Sequence, residues 1–108
     1  MSARVVLAAV ARRRLIELRA DFASRGRERQ AIALIAEILR ALARLERHPE
    51  LGQREPHLVQ ERKDHRYIVV DGRYKVIYYF AVDEGSTVGV VRVTDIFDAR
   101  QDPSRMVG

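Results

Sequence analysis

An α+β fold, with a helical hairpin packed on a C-terminal antiparallel sheet, is predicted by three features of the sequence. Two apolar stripes of helical period occupy the first half, strand-like runs around an Asp-Gly turn occupy the second, and a proline- and glycine-marked break separates them. At 108 residues the chain is expected to form one domain around one core, residues 1–108.

The first element is a short apolar piece at residues 3–7 that suits a strand, although so short a run carries no period to separate it from a helix start. From residue 8 to 22, Ala11, Leu15, Leu18 and Phe22 recur at spacings of four, three and four, the period of one helical face. Ser24, Arg25 and Gly26 stop that helix, because glycine readily takes the left-handed conformation that closes helices. A second helix is predicted over residues 28–47, with Ile35, Ile38, Leu42 and Leu45 on one stripe and Ile32 and Leu39 widening it. A connection of a few residues makes the two helices an antiparallel pair. Both stripes then need a common apolar surface, which the C-terminal sheet supplies.

His48, Pro49, Glu50, Leu51 and Gly52 end the second helix, since proline forces the preceding residue out of helical geometry. Residues 53–65 are polar, contain Pro56 and lack sustained periodicity, which reads as a long loop with a single turn of structure at most. Residues 66–70, the Asp71-Gly72 turn and residues 73–82 read as a hairpin. A second turn at Asp83, Glu84, Gly85 and Ser86 leads into a strand over residues 87–97, giving a three-stranded meander. Alternation in the middle strand puts Tyr74, Val76, Tyr78 and Phe80 on one face and Lys75, Ile77, Tyr79 and Ala81 on the other. The first set is large and apolar and should face the helices, which leaves Lys75 opening onto an uncovered face. Residues from about Ser104 onward are expected to be mobile unless a partner orders them.

The formal charge of +5 comes almost wholly from arginine, with lysine only at Lys63 and Lys75. Such an excess favours an acidic partner, whether nucleic acid, ribosome or an acidic protein segment; the competing reading is an arginine-rich surface with no special site. The absence of cysteine excludes disulfides, thiolate metal sites and thiol nucleophiles. The N-terminal apolar run is broken at Arg12, Arg13 and Arg14, so neither a signal-peptide core nor a membrane span can be drawn, and a cytoplasmic location is expected. No internal repeat, glycine-rich phosphate loop or domain linker is present.

His48, His57 and His65 are spaced outside the usual short-range ligand spacings, so no metal or other cofactor is called for, and surface loop histidines are expected. Asp71, Asp83 and Glu84 sit in turns, while Asp95 and Asp98 flank Phe97 and would orient Arg100 or cap the loop. Arg62, Lys63, Arg66, Arg73, Lys75, Arg92, Arg100 and Arg105 lie on or beside the meander. If several converge on the uncovered face they would hold phosphates and stabilise developing negative charge; otherwise they are solvated surface arginines. Among the interleaved tyrosines, Tyr79 shares a face with Lys75 and is the best candidate for a stacking role, against the ordinary packing role of strand tyrosines.

Three segments carry a resemblance to a known family: Leu45, His48, Pro49, Leu51 and Gly52 after the second helix; the run from Gly72 through Arg73, Lys75 and Tyr79 in the hairpin; and Asp98, Ala99, Arg100, Gln101, Asp102 and Pro103 after the last strand. With the element order they resemble the RelE/ParE toxin superfamily from about Ala3 to Met106, closer to its ParE-like side. The resemblance implies the toxin half of a type II toxin–antitoxin pair of the kind that stabilises plasmids, bound and neutralised in a hetero-oligomer by a cognate antitoxin. RelE-like members cut messenger RNA in the ribosome, whereas ParE-like members poison DNA gyrase.

If the chain is RelE-like, the resemblance assigns catalytic roles to Lys75 and Arg100. The tyrosine or histidine that such nucleases carry near the C-terminus is missing, because the corresponding position falls near Met106. Arginine stays protonated and is a poor general base, so a gyrase-binding toxin is the preferred reading, with Arg66, Arg73, Tyr79, Arg92 and Arg105 as binding residues. A ribosome-dependent endoribonuclease and a degenerate, non-toxic relative remain the alternatives.

Overall fold

Helices α1 (Ala9–Ser24) and α2 (Glu28–Arg47) form where the apolar stripes place them in the computed structural model, which describes residues 3–82, 85 and 87–108. Gly26 closes α1 with φ at 71°, and its N–H donates to the Ala23 carbonyl at 3.0 Å while that of Arg27 reaches the Phe22 carbonyl at 2.8 Å. On α1, Ala11 and Leu18 are buried and Leu15 and Phe22 pack against the core. On α2 the buried face runs through Leu34, Ile38, Ala41, Leu42 and Leu45, with Ile35 at its border. Ile32 and Leu39 do not widen that stripe. At about 100° per residue they lie well over a quarter-turn from its centre, and they remain 54% and 52% exposed.

The sheet has five strands, two more than the expected meander: β1 (Ala3–Leu7), β2 (Gln53–Arg54), β3 (Arg66–Val70), β4 (Tyr74–Val82) and β5 (Gly89–Asp98), in the order β1-β5-β4-β3-β2. β1 pairs parallel with β5, Ala3 beside Gly89 through Leu7 beside Val93, and the other neighbours are antiparallel. β2 lies inside the segment read as loop, pairing Gln53 with Tyr67 and Arg54 with Arg66, and is followed by a 3-10 turn at Pro56–Leu58. Two residues are too few for a periodic signal. The hairpin turn is left-handed at both Asp71 (φ 55°) and Gly72 (φ 61°), as a primed turn requires. Of the second expected turn, Asp83, Glu84 and Ser86 lie outside the described residues, and Gly85 has φ 79°.

The alternation along β4 holds. Tyr74, Val76 and Tyr78 are buried with the helices, Val91, Val93 and Ile96, and Phe80 packs at the margin. The Tyr78 hydroxyl donates to the Pro49 carbonyl at 2.8 Å and accepts from the Gly52 N–H at 2.8 Å, which ties the end of α2 to the sheet. A Cβ on Gly52 would stand 2.7 Å from that hydroxyl, so the close approach needs glycine.

The second face is not open along its length. Leu58 and Met106 cover Ile77 and Phe97 there, with Tyr67 alongside. The expected mobile tail is instead ordered through a 3-10 turn at Pro103–Arg105, after which Met106 is buried. An apolar side chain with an apolar slot to fill needs no partner to order it.

Candidate functional site

Three groupings of charged and aromatic side chains follow from the pleat. On the second face, Lys75 extends from β4 toward Glu55, which caps the 3-10 turn at Pro56–Leu58. Its Nζ lies 2.9 Å from Glu55 Oε2 and 4.3 Å from the centre of the Tyr67 ring, and the other Glu55 oxygen accepts from the His57 N–H at 3.2 Å. The Lys75 side chain is 18% exposed and the Glu55 side chain 0%. Lys75 therefore does not open onto a bare surface; its charge is neutralised by a buried carboxylate.

Further along the same face stands Tyr79. The His65 ring meets it edge-on at 5.3 Å between centroids, and Lys63 Nζ sits 4.6 Å over it. Arg92 is exposed and stands beside Tyr79 in register, with Val6 of β1 beyond it. His65 is not the surface histidine expected: it is 3% exposed, and neither Nδ1 nor Nε2 has a hydrogen-bond partner among the described residues. Burial pushes its pKa below the ordinary value of 6.5, outweighing the upward pull of the Glu61 carboxylate.

The third grouping lies at the other side of the sheet. Asp98 is the cross-strand neighbour of Tyr74 and so belongs to the helix-facing side. Arg73 reaches its Oδ2 at 3.0 Å, and Arg100 holds it through Nη2 at 3.2 Å, Nε at 3.3 Å and its own backbone N–H at 3.0 Å. Asp98 thus orients Arg100 and caps the loop together. Asp95 does neither: fully buried, it accepts from Arg14 Nε of α1 at 3.2 Å and from the Val107 N–H at 2.9 Å.

The eight basic groups consequently do not converge. Lys75 and Arg100 lie on opposite faces. Arg66, cross-strand from Tyr78, is spent on the Gly52 carbonyl at 3.0 Å, the Glu50 carbonyl at 3.4 Å and Asp64 at 3.1 Å, which fixes the chain after α2. Arg105 is exposed with no ion pair among the described residues. Of the binding residues named from sequence, the structure brings together Tyr79 and Arg92, while Arg73 shares Asp98 with Arg100, a residue named for catalysis. Sequence reasoning missed Glu55 and His65, both from the segment read as loop; the single hint was Glu55 directly before Pro56, the capping position of a proline-started turn.

The fold and these motifs agree with a comparison to protein families. A model described as the ParE toxin of the type II toxin–antitoxin system, parDE, matches residues 5–96. The chain belongs to this ParE toxin family. A comparison with curated proteins gives no match. Family membership implies an antitoxin partner. No helix among the described residues is long and apolar enough to cross a membrane, and no group of three or more His, Asp or Glu side chains there is placed to hold a metal ion.

Chemically, the second face of the sheet in this ParE-family chain offers a surface suited to capture. Tyr79 gives a ring face, and Lys63 and Arg92 bring positive charge beside it, which suits a planar or anionic group on a partner. The Lys75–Glu55 pair is a structural element in which the lysine is already satisfied.

Proposed function

We propose that this ParE-family toxin stops growth by binding DNA gyrase, in the cytoplasm, and that its cognate antitoxin neutralises it in a hetero-oligomer. The observation that carries the reading is the separation of the two groups a RelE-like nuclease would use: Lys75 is locked to Glu55 on one face, and Arg100 is held by Asp98 on the other. Proton transfer in ribonuclease chemistry needs a base and an acid within reach of one phosphodiester, and this pair supplies neither together. Binding needs only surface, and Lys63 and Arg92 supply positive charge beside the Tyr79 ring.

The antitoxin's side of the molecule is the outer face of α2. Ile32 and Leu39, two turns apart, are exposed there, and Arg29, Arg40, Arg44 and Arg47 have no ion pair among the described residues. An amphipathic segment with an apolar ridge and acidic flanks complements both features.

Induction of the toxin without antitoxin tests the reading. DNA breaks and an SOS response with intact messenger RNA are the expected result. Cleaved messenger RNA with intact DNA contradicts it and favours the endoribonuclease, while normal growth points to a degenerate relative.

A further inference from the structure

The register shift between Ile77 and Tyr78 makes Thr94 an extra residue on β5, so that Thr94 and the buried Asp95 stand side by side without a β4 residue between them. Together they grip one residue of the tail by its main chain. Thr94 Oγ1 donates to the Val107 carbonyl at 2.9 Å, and Asp95 Oδ2 accepts from the Val107 N–H at 2.9 Å. Met106 fills the slot formed by Leu58, Ile77 and Phe97. Gly108 lies against His65, where a Cβ would stand 3.1 Å from its Cε1 and Nε2.

The closure is opposed from within. The His65 imidazole is packed away from solvent with neither ring nitrogen hydrogen-bonded to a described residue, an arrangement that disfavours its charged form. From its own loop Glu61, Asp64 and Lys63 act on it, Tyr79 meets it from β4, and Gly108 carries the α-carboxylate of the chain; burial outweighs the pull of the carboxylates and lowers the pKa of the ring. The Glu55 carboxylate nearby is already engaged by Lys75.

We propose that residues 106–108 are a releasable strap over the second face, clamped by Thr94 and Asp95 and opened when His65 is hydrated or protonated. Lifting it bares the slot at Leu58, Ile77 and Phe97 and gives His65 access to solvent, beside Tyr79 and Lys63. The strap is thus a cover on the same face that carries the candidate binding residues, and its operation does not depend on gyrase being the target.

Amide hydrogen exchange on the intact protein reads this directly, because the Val107 N–H is held by the clamp while the Val76 N–H belongs to the central sheet. The Val107 protection factor is expected to be about tenfold lower at about pH 5.5 than at about pH 7.5, with that of Val76 unchanged. Thr94→Val should lower Val107 protection at both pH values. His65→Leu, or His65→Gln if the leucine variant does not fold, should abolish the pH difference. Equal protection of Val107 and Val76 under all conditions would overturn the proposal, as would a pH difference that persists without His65.

Discussion

Along β4, alternate residues point into two differently built surroundings. Tyr74, Val76 and Tyr78 meet side chains delivered by α1 and α2, elements whose own stripes have a regular period. Lys75, Ile77 and Tyr79 meet Glu55, Leu58, His65 and Met106, delivered by a loop and a tail. The first face is held by apolar burial; the second combines a small apolar cluster with a buried ion pair and a histidine whose ring nitrogens have no hydrogen bond among the described residues. The comparison teaches that the polar face is the less settled of the two, since its buried carboxylate has one cation to balance it and its buried histidine has no hydrogen bond among the described residues.

Removing that cation should produce the largest effect. Lys75→Met leaves the Glu55 carboxylate buried without its cation, and unfolding in denaturant should show a loss of about 3–5 kcal/mol. The double variant Lys75→Met with Glu55→Gln removes both charges and should recover most of that loss. On the helical face, Ile38→Ala opens a cavity in a fully buried position and should cost about 2–5 kcal/mol by the same measurement. Ile32→Ala, on the exposed side of α2, should change stability by less than about 0.5 kcal/mol. Equal effects at the two isoleucines would break the assignment of the buried stripe.

Tyr78→Phe comes next. It keeps the ring in the core but strands the Gly52 N–H and the Pro49 carbonyl, for an expected loss of about 1–3 kcal/mol. The smallest effect is that of pH through His65. Its folded pKa lies below the ordinary 6.5, so the unfolded chain takes up the proton first as pH falls. Its contribution is therefore complete above about pH 6.5 and declines as pH drops below it. Subtracting the His65→Leu profile of denaturant midpoints from the wild-type profile should isolate that slope; a wild-type profile that parallels the variant would remove His65 from the ledger of acid sensitivity.

The same contrast explains what could be read from the sequence. Both helices, the hairpin and the two faces of β4 were legible because they repeat: Ala11, Leu15, Leu18 and Phe22 in one period, Tyr74, Val76 and Tyr78 in another. Ile32 and Leu39 show the limit of that reading, since an apolar residue at a helix border is not thereby inside. The edge strand Gln53–Arg54, the cap at Glu55, the burial of His65 and the docking of Met106 have no period to read. Each depends on a contact between residues far apart in sequence, such as Glu55 with Lys75, and the register that brings them together is set by the sheet. Lys75 was correctly placed on its face, yet its neighbour was invisible, and the neighbour decides what the lysine does.

The central claim is that Lys75 has a structural role in a toxin that acts by binding. The direct measurement is the toxicity of the charge-neutral pair, Lys75→Met with Glu55→Gln, induced without antitoxin and compared with wild type at equal levels of folded protein. Growth arrest with DNA breaks, undiminished from wild type, is the expected result. A folded double variant that no longer arrests growth, while the wild type leaves cleaved messenger RNA, would contradict it.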